Sequence, residues 1–442
     1  MLRLSGYVIS KAVTPSSSSS FLLRTPGLVY DGGIYIARGV RGDFRTSNHE
    51  LFKGRLIRVL KEALGKALVP FYPLAGRLGR DENGRIDIDC NGEGALFVEA
   101  ETDSYVDDMG GFAPSPELKK FLPDVRDIYS GDVSYFPLFM VQVTRFKCGG
   151  VTVGTGLHHF AADGTSALHF INHWADIARL GDAAELAVEP HFDRTPLRPR
   201  DPSSPSFPHV EYQPPPKSTP AAEKQTGPLA AALLTLTREQ LSLLKSKATS
   251  EDGAPMAKPY TTYEALTGHI WRCASKARDL PNAQESKVYL SADGRNRLRP
   301  PLPPGFFGNP IFVATPIATV GDLVSRPLSY AAGQVRRTLA RMDDEYLRSS
   351  LDYLALQTDL RAIQRGAPTY RCPNLGVNSW ARLPMYEADF GWGRPKFVGP
   401  VGYGHEGKCY VLPSPTGDGS MSLAITLVPD HMVRFKKLLY DI

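Results

Sequence analysis

A proline-rich segment near the middle of the chain limits what it can fold into. Between Pro190 and Pro228 there are eleven prolines in 39 residues. Proline lacks a backbone N–H and fixes φ, so few of these positions are compatible with a helix or a central strand. We interpret the segment as an extended crossover between two domains. The predicted parts are an N-terminal domain at 1–189, the crossover at 190–228 and a C-terminal domain at 229–442.

The length of the chain agrees with two domains, and its charge argues against some functional classes. A chain of 442 residues is too long for one hydrophobic core. The net charge of +5 is small, and no Lys/Arg block stands out, which gives little support to nucleic acid or membrane binding. The longest nearly apolar run, Pro228–Leu236, is far too short for a membrane span.

The cysteines and the N-terminus bear on the compartment. The five cysteines are odd in number, widely spaced and without a CxxC pair. A disulfide framework or a zinc ribbon is therefore not expected, and the sequence favours a reducing, cytoplasmic setting. The serine run Ser16–Ser20 and the early basic residues are also typical of a plastid transit peptide. We favour a strand at Tyr7–Ser10 followed by a serine-rich loop, because the segment is not convincingly amphipathic.

Hydrophobic periodicity predicts a mixture of helices and strands in both halves. In the first half, apolar residues at helical spacing indicate a helix over 47–68, and Asn83-Gly84 indicates a hairpin turn. Period-two alternation over 151–157 indicates a strand that ends at His158-His159, with a helix over 165–180. In the second half we expect strands over 229–237, 287–292, 378–383, 409–412 and 421–427, and helices from 238, over 262–277, 330–341 and 346–364, and from 430.

The segment His158-His159-Phe160-Ala161-Ala162-Asp163-Gly164 carries the most distinctive chemistry. It places a histidine at a strand end and an aspartate at a helix start. A neutral imidazole can take a proton from a hydroxyl near neutral pH, and the resulting oxygen nucleophile can attack a carbonyl. A thioester suits this reaction because its thiol is a good leaving group. Spacing alone leaves a second interpretation open, in which a partly buried histidine precedes Asp163 as a helix N-cap.

A second segment, Asp389-Phe390-Gly391-Trp392-Gly393, combines two glycines with two aromatic residues. Considered alone, it indicates a tight, packed turn rather than a reacting centre.

Together, these HHxxxDG and DFGWG segments resemble the paired motifs of the plant BAHD acyltransferases. The resemblance extends over the whole chain, through Val8–Ser16, Tyr72–Arg77 and Tyr289–Arg295. Within the family, the chain looks like the hydroxycinnamoyl-CoA:shikimate/quinate hydroxycinnamoyltransferases in several further segments. These are Cys90–Gly94, Leu168–Asn172, Glu211–Pro216, Pro373–Gly376 and Leu412–Pro415.

The resemblance implies both a fold and an activity. The fold is a two-domain, chloramphenicol acetyltransferase-like α/β fold, with two similar mixed-sheet domains and a channel at their interface. The activity is transfer of a p-coumaroyl or caffeoyl group from coenzyme A to a hydroxyl of shikimate or a similar hydroxy acid such as quinate, in phenylpropanoid metabolism and lignin biosynthesis. Acyl-CoA is then a co-substrate, and we expect no cofactor, no metal, no nucleic acid partner and a monomeric enzyme.

The same resemblance implies roles for residues at the reaction centre. His159 corresponds to the general base, and Asp163 to an organiser of the histidine loop that pairs with Arg295. Trp380 corresponds to a tryptophan whose indole N–H stabilises the tetrahedral oxyanion. For Asp389 we favour a structural role over a catalytic one.

Further residues correspond to substrate contacts in the family. Arg365 matches an arginine that binds the acceptor's carboxylate, and Tyr260 and Thr261 lie where the family contacts coenzyme A. Asn378 and Tyr35 also match acceptor-side positions. Shikimate enzymes usually have threonine where this chain has Asn378, and the quinate-preferring members look more like Asn-Ser-Trp. Gly33 replaces a serine near Tyr35, so acceptor and acyl preference stay open.

Three alternatives remain. His169 and His173 are four residues apart on a predicted helix and suit a zinc site by spacing, but no nearby Glu or Cys completes the set. A non-catalytic binding protein on this scaffold is a second, although His159, Trp380, Asp163 and Arg295 are all present. An acyltransferase for amines is a third, and Arg365 argues against a cationic acceptor.

Overall fold

The structure is a computed structural model. It describes residues 3–9, 30–37, 49–81, 86–123, 136–216, 228–250, 258–359, 363, 366–401 and 405–442. For 3–9, 30–37, 49–54 and 367 the description covers the backbone alone. The predicted turn at Asn83-Gly84 and the proposed acceptor residue Arg365 lie outside the described residues.

The described strands and helices confirm a mixed α/β chain. The strands are β1 (Arg3–Ile9), β2 (Tyr30–Ala37), β3 (Arg77–Arg80), β4 (Ile86–Asp89), β5 (Ala95–Thr102), β6 (Phe139–Phe146), β7 (Val151–His158), β8 (Ala230–Leu236), β9 (Glu285–Asp293), β10 (Ile311–Ala314), β11 (Ile317–Thr319), β12 (Leu375–Ser379), β13 (Phe397–Pro400), β14 (Lys408–Pro413) and β15 (Met421–Leu427). The helices are α1 (His49–Ala67), α2 (Pro116–Lys119), α3 (Gly164–Leu180), α4 (Arg238–Ser250), α5 (Thr262–Arg278), α6 (Val320–Ser325), α7 (Leu328–Ala340), α8 (Asp344–Ala355), α9 (Ala367–Tyr370) and α10 (Pro429–Tyr440).

The chain divides into two compact units that are not continuous in sequence. The first unit comprises Met1–Pro196, Pro303–Asn309 and Leu383–Gly402. The second comprises Leu197–Leu302, Pro310–Arg382 and Tyr403–Ile442. A split at the crossover assigns each half to one domain, whereas the contacts group two short segments of the second half with the first unit. Each unit is described by itself below.

In the first unit, a mixed sheet carries the described strands in the order β1-β5-β6-β7-β2-β13. All eight residues of β7 are buried, including the polar residues Thr152, Thr155 and His158. Helices α1 and α3 pack together, and the indole N–H of Trp174 on α3 donates to the carbonyl of Leu60 on α1 at 3.0 Å. A separate antiparallel hairpin joins β3 and β4.

In the second unit, a mixed sheet runs in the order β10-β9-β12-β14-β15-β8, and β11 also pairs with β9. Strand β12 is parallel to both of its neighbours, β9 and β14. Helix α5 packs against α7 and α10 and is the most buried helix of this unit as described, with Trp271 fully buried at its centre.

The proline-rich segment is fixed to α8 from Arg200 to Phe207. The buried carboxylate of Asp352 accepts hydrogen bonds from the backbone and side chain of Arg200 and from the backbone N–H of Ser204. The hydroxyl of Ser349 accepts the N–H groups of Ser206 and Phe207 at 2.8 and 3.2 Å. Prolines leave this stretch with fewer backbone N–H groups. Side chains of α8 accept those of Arg200, Ser204, Ser206 and Phe207, which would otherwise need another acceptor.

Two predicted elements differ from the structure. The helix predicted over 346–364 ends at Ala355, where the following Leu356 is exposed and continues the apolar stripe without being buried. The strand predicted over 378–383 instead covers Leu375–Ser379, because its fully buried residues are Leu375 and Val377. Among the described helices, none combines the length and apolar character that a bilayer crossing needs.

Candidate active site

The two histidines of the HHxxxDG motif have different environments. His158 is the last residue of β7 and is fully buried, with its ring stacked on Phe160 at a centroid distance of 5.1 Å. Burial, reinforced by the neighbouring His159, lowers the pKa of His158 to about 4. His158 is therefore neutral at physiological pH and has a structural role.

His159 follows the strand and is partly exposed. Its Nδ1 lies 3.0 Å from Oδ1 of Asn309. The amide nitrogen of Asn309 donates to the carbonyl oxygens of His159 at 2.6 Å and Phe160 at 3.3 Å. One asparagine side chain thus contacts both the ring and the backbone of the histidine loop.

Asp163 is the N-cap of α3 and is only 2% exposed. Its carboxylate accepts the N–H of Ser166 at 2.9 Å, and its own N–H donates to the carbonyl of Gly308 at 3.2 Å. These contacts fix the turn between His159 and α3. Arg295 belongs to the second unit, where it pairs with Asp293 at 3.2 Å. The predicted pair between Asp163 and Arg295 stays a prediction.

Asp389 makes local contacts within its own turn. Its Oδ1 accepts the N–H groups of Gly391 at 2.9 Å and Gly393 at 2.8 Å. Both glycines have φ near +100°, a conformation that other residues rarely adopt. This geometry favours the structural role that we expect for Asp389.

In the second unit, Asn378 and Trp380 lie at the end of β12. Both are partly exposed, and Oδ1 of Asn378 accepts the hydroxyl of Ser291 at 3.0 Å. The backbone N–H of Trp380 donates to Val411, and its ring lies 5.0 Å from Tyr410. Among the described residues, none accepts a hydrogen bond from the indole N–H of Trp380. This donor is suited to a ligand oxygen.

Tyr260 and Thr261 are engaged in capping α5. Thr261 accepts the N–H of Glu264 and donates its own N–H to the Glu264 carboxylate. Tyr260 is 3% exposed; its hydroxyl donates to Ser329, and the guanidinium of Arg336 lies 4.2 Å from its ring. A coenzyme A contact by the Tyr260 side chain stays a prediction that this burial does not favour.

The remaining predicted residues are placed as follows. Tyr35 lies on β2, paired with Val153 of β7 and Val398 of β13. His169 contacts the carbonyl of Val188 at 2.9 Å, and His173 is buried. Within the described ranges, no group of three or more His, Cys, Asp or Glu side chains could hold a metal ion.

Comparison with known proteins decides the family. A family model described as the Transferase family matches residues 39–442. The chain is 54% identical over 402 residues to shikimate O-hydroxycinnamoyltransferase of Nicotiana tabacum, covering 90% of each chain. The chain belongs to the BAHD acyltransferase family. It is accordingly an acyl-CoA-dependent acyltransferase, as predicted.

Among other relatives of this BAHD acyltransferase, one is named without an acceptor and one is named for a different acceptor. A hydroxycinnamoyltransferase of Narcissus pseudonarcissus is 54% identical over 87% of this chain and 88% of its own. A hydroxycinnamoyl-CoA:5-hydroxyanthranilate N-hydroxycinnamoyltransferase of Avena sativa is 53% identical over 87% of this chain and 86% of its own. The crystal structure of vinorine synthase has a TM-score of 0.73 at 22% identity, covers 98% of this chain and 96% of its own, and confirms the predicted two-domain α/β fold.

Sequence reasoning missed Asn309, Gly308 and Ser291 in this BAHD enzyme. Asn309 lies 150 positions from His159 and belongs to no helix or strand. No periodicity or motif spacing indicates such a contact, and the only local signal was the Gly-Asn-Pro turn chemistry at 308–310.

Proposed function

We propose that this acyltransferase moves a hydroxycinnamoyl group, p-coumaroyl or caffeoyl, from coenzyme A to a hydroxyl of shikimate or quinate. High identity to hydroxycinnamoyltransferases supports the acyl group and the acceptor class. The reaction would belong to phenylpropanoid metabolism, towards lignin. The five cysteines are free thiols, which supports a reducing compartment, and we propose a cytoplasmic monomer.

The observation that carries the mechanism is the partly exposed ring of His159, held at the end of a buried strand by Asn309. In the proposed step, an unprotonated ring nitrogen of His159 takes the proton of the acceptor hydroxyl while its oxygen bonds to the thioester carbonyl carbon. The tetrahedral intermediate then collapses, the C–S bond breaks, and the imidazolium returns its proton to the departing sulfur. The products are the ester and coenzyme A thiol.

The oxyanion of that intermediate needs a donor. We assign this role to the indole N–H of Trp380, which donates to no other described residue. A donor of this kind contributes about 3 kcal/mol to transition-state stabilisation. The amide nitrogen of Asn378 is a further candidate donor to the acceptor, because its oxygen is already engaged by Ser291.

Arg365 is the proposed carboxylate-binding residue of the acceptor site. A guanidinium pairs with a carboxylate through two parallel hydrogen bonds, which gives both affinity and orientation. We expect Arg365→Ala to raise the KM for the acceptor strongly and to spare the KM for acyl-CoA. The exposed Arg371 provides a matched control, and Arg371→Ala should change neither value.

An aromatic amine is the second candidate acceptor, because the Avena sativa relative is named for N-acylation of 5-hydroxyanthranilate. That acceptor also carries a carboxylate, so Arg365 is compatible with it, in contrast to a polyamine. Asn378 stands where shikimate enzymes usually have threonine, so this position is relevant to the choice between a shikimate hydroxyl and an aromatic amine as acceptor.

The test is an acceptor panel with p-coumaroyl-CoA, followed by thiol release. Shikimate, quinate, 5-hydroxyanthranilate and spermidine should be compared by kcat/KM, and the products identified as esters or amides. We expect the highest kcat/KM with shikimate or quinate. A higher value for 5-hydroxyanthranilate would replace the proposal with the amine acceptor, and transfer only to spermidine would contradict both.

A further inference from the structure

Asn309 contacts His159 in a way that bears on which ring nitrogen carries the proton. We propose that Asn309 is a positioning residue that fixes the His159 imidazole in the tautomer protonated on Nδ1. The inference rests on the proposed role of His159 as the base. It concerns residues of the first unit alone, since Asn309 belongs to the Pro303–Asn309 segment of that unit.

The orientation of the Asn309 amide follows from its surroundings. One amide atom lies 2.6 Å from the carbonyl oxygen of His159 and 3.3 Å from that of Phe160. Carbonyl oxygens are acceptors only, so this atom has to be the NH2 group. The opposite orientation would place three acceptor oxygens against one another.

The orientation of the amide determines the tautomer of the ring. With its nitrogen on the two carbonyls, Asn309 presents Oδ1 to Nδ1 of His159 at 3.0 Å. An amide oxygen has no proton to donate, so Nδ1 of a neutral imidazole carries the hydrogen. The lone pair is then on Nε2, which becomes the nitrogen able to accept the hydroxyl proton.

Asn309 is itself held by its neighbour in sequence. The N–H of Gly308 donates to the hydroxyl of Ser166 at 3.0 Å, and the Gly308 carbonyl accepts from that hydroxyl and from the N–H of Asp163. A side chain at position 308 would approach the Arg194 guanidinium to 2.6 Å, so glycine allows this close packing. The motif aspartate therefore fixes the backbone on which Asn309 is carried.

A direct test of the tautomer is NMR on the wild-type enzyme. The nitrogen shifts of labelled histidine distinguish a ring protonated on Nδ1 from one protonated on Nε2, and His159→Gln identifies the resonance. We expect the Nδ1–H form. Observation of the Nε2–H form in the wild-type enzyme would overturn the proposal without requiring any variant of Asn309 to fold.

Kinetic variants test whether the contact affects catalysis. Asn309→Ala removes both functions of the amide and should lower kcat about 10- to 100-fold with little change in the KM for acyl-CoA. Asn309→Asp still accepts from Nδ1–H, and its carboxylate favours the imidazolium. The acid limb of its kcat/KM profile should therefore move to higher pH, by about one unit. The second carboxylate oxygen replaces the NH2 group that donates to the carbonyls of His159 and Phe160, so the melting temperature of this variant is measured alongside to show that the loop is intact. Asn172→Ala, which removes an amide contact to Pro384 in the same unit, is the matched control.

The outcomes separate this inference from the proposed mechanism. A kcat within about threefold of wild type for folded Asn309→Ala would overturn the inference, as would an unshifted acid limb for Asn309→Asp. In the His159→Ala background, Asn309→Ala should have no further effect. Near wild-type turnover of His159→Ala itself would remove the proposed base, whereas the NMR tautomer would still stand.

Discussion

The histidine motif at 158–164 and the DFGWG turn at 389–393 both lie against α3 in the first unit. The histidine motif leads into the N-terminus of α3, where Asp163 caps the helix and His159 is partly exposed. The DFGWG turn lies towards the other end, where Phe390 packs on Trp174 at 4.7 Å and Gly391 lies close to Arg179. The same helix is thus packed against the DFGWG turn near its end, whereas the histidine motif at its start leaves the ring of the proposed base partly exposed.

The largest expected effect on kcat comes from replacing His159. His159→Ala should lower kcat about 10³-fold without changing the melting temperature, because the ring is partly exposed and is the proposed general base. His169→Ala, at a partly exposed histidine on α3, is the matched control and should retain activity. Steady-state thiol release measures both. Comparable losses in the two variants would refute a special role for His159.

Substitutions in the DFGWG turn should lower the stability of the protein rather than its turnover. Phe390→Ala removes a side chain that is 4% exposed and contacts the fully buried Trp174, and should cost about 3 kcal/mol of unfolding free energy. Trp392→Ala, at a partly exposed position of the same motif, should cost less. Chemical denaturation measures both losses. If Phe390→Ala abolished turnover in a fully folded enzyme, the two motifs would not divide their roles in this way.

His158 should make the free energy of unfolding depend on pH. Its pKa is lowered from 6.5 to about 4 in the folded protein, so the unfolded chain binds more protons between these values. The free energy of unfolding therefore includes a contribution from neutral His158. That contribution is fully present above pH 6.5 and is lost as the pH falls towards 4, in total on the order of 3 kcal/mol. His158→Gln should flatten the unfolding free energy over this window relative to wild type. An equal slope in the two proteins would contradict the prediction.

Asp163 should have a smaller effect than these three positions. Asp163→Ala removes the N-cap of α3 and should cost about 1 kcal/mol and lower kcat modestly, with an unchanged pH profile. Asp163→Asn retains a capping oxygen and should cost less. A loss for Asp163→Asn as large as the loss for Asp163→Ala would show that the negative charge matters more than the cap, as the predicted pair with Arg295 requires.

Asp389→Asn should have the smallest effect. An asparagine oxygen can accept the same two N–H groups of Gly391 and Gly393, so stability should change by less than about 0.5 kcal/mol and kcat should stay at the wild-type level. A strong loss of kcat with unchanged stability would restore a catalytic role to Asp389 and weaken the comparison.

Much of the local structure was predictable from sequence because it depends on neighbours along the chain. Alternation over 151–157 identified β7, and the Asp163-Gly164 step identified the start of α3 within one residue. The capping role of Asp163 was one of two interpretations that the spacing left open, and the structure places the carboxylate on the N–H of Ser166. The end of α8 was predicted too far downstream, since an apolar stripe does not reveal whether it is buried.

The proline-rich segment shows the limit of composition. Its prolines correctly indicate that the described part has no α-helix and no central strand, although Thr195–Leu197 form a short 3-10 helix, but they do not say where the chain lies. The buried Asp352 and Ser349 on α8 determine this by accepting its backbone N–H groups. Those partners are more than 140 residues away, so no local pattern indicates them.

The sequence by itself determined the family motifs and the strand–loop–helix that carries His159, the residue we propose as the base. These follow from residue types and short spacings, which local geometry fixes. Only the tertiary structure supplied the basis for the proposed tautomer, because the group that contacts the ring is the Asn309 amide, brought to His159 from 150 residues away. A hydrogen bond requires contact within about 3 Å, and long-range folding alone provides that contact.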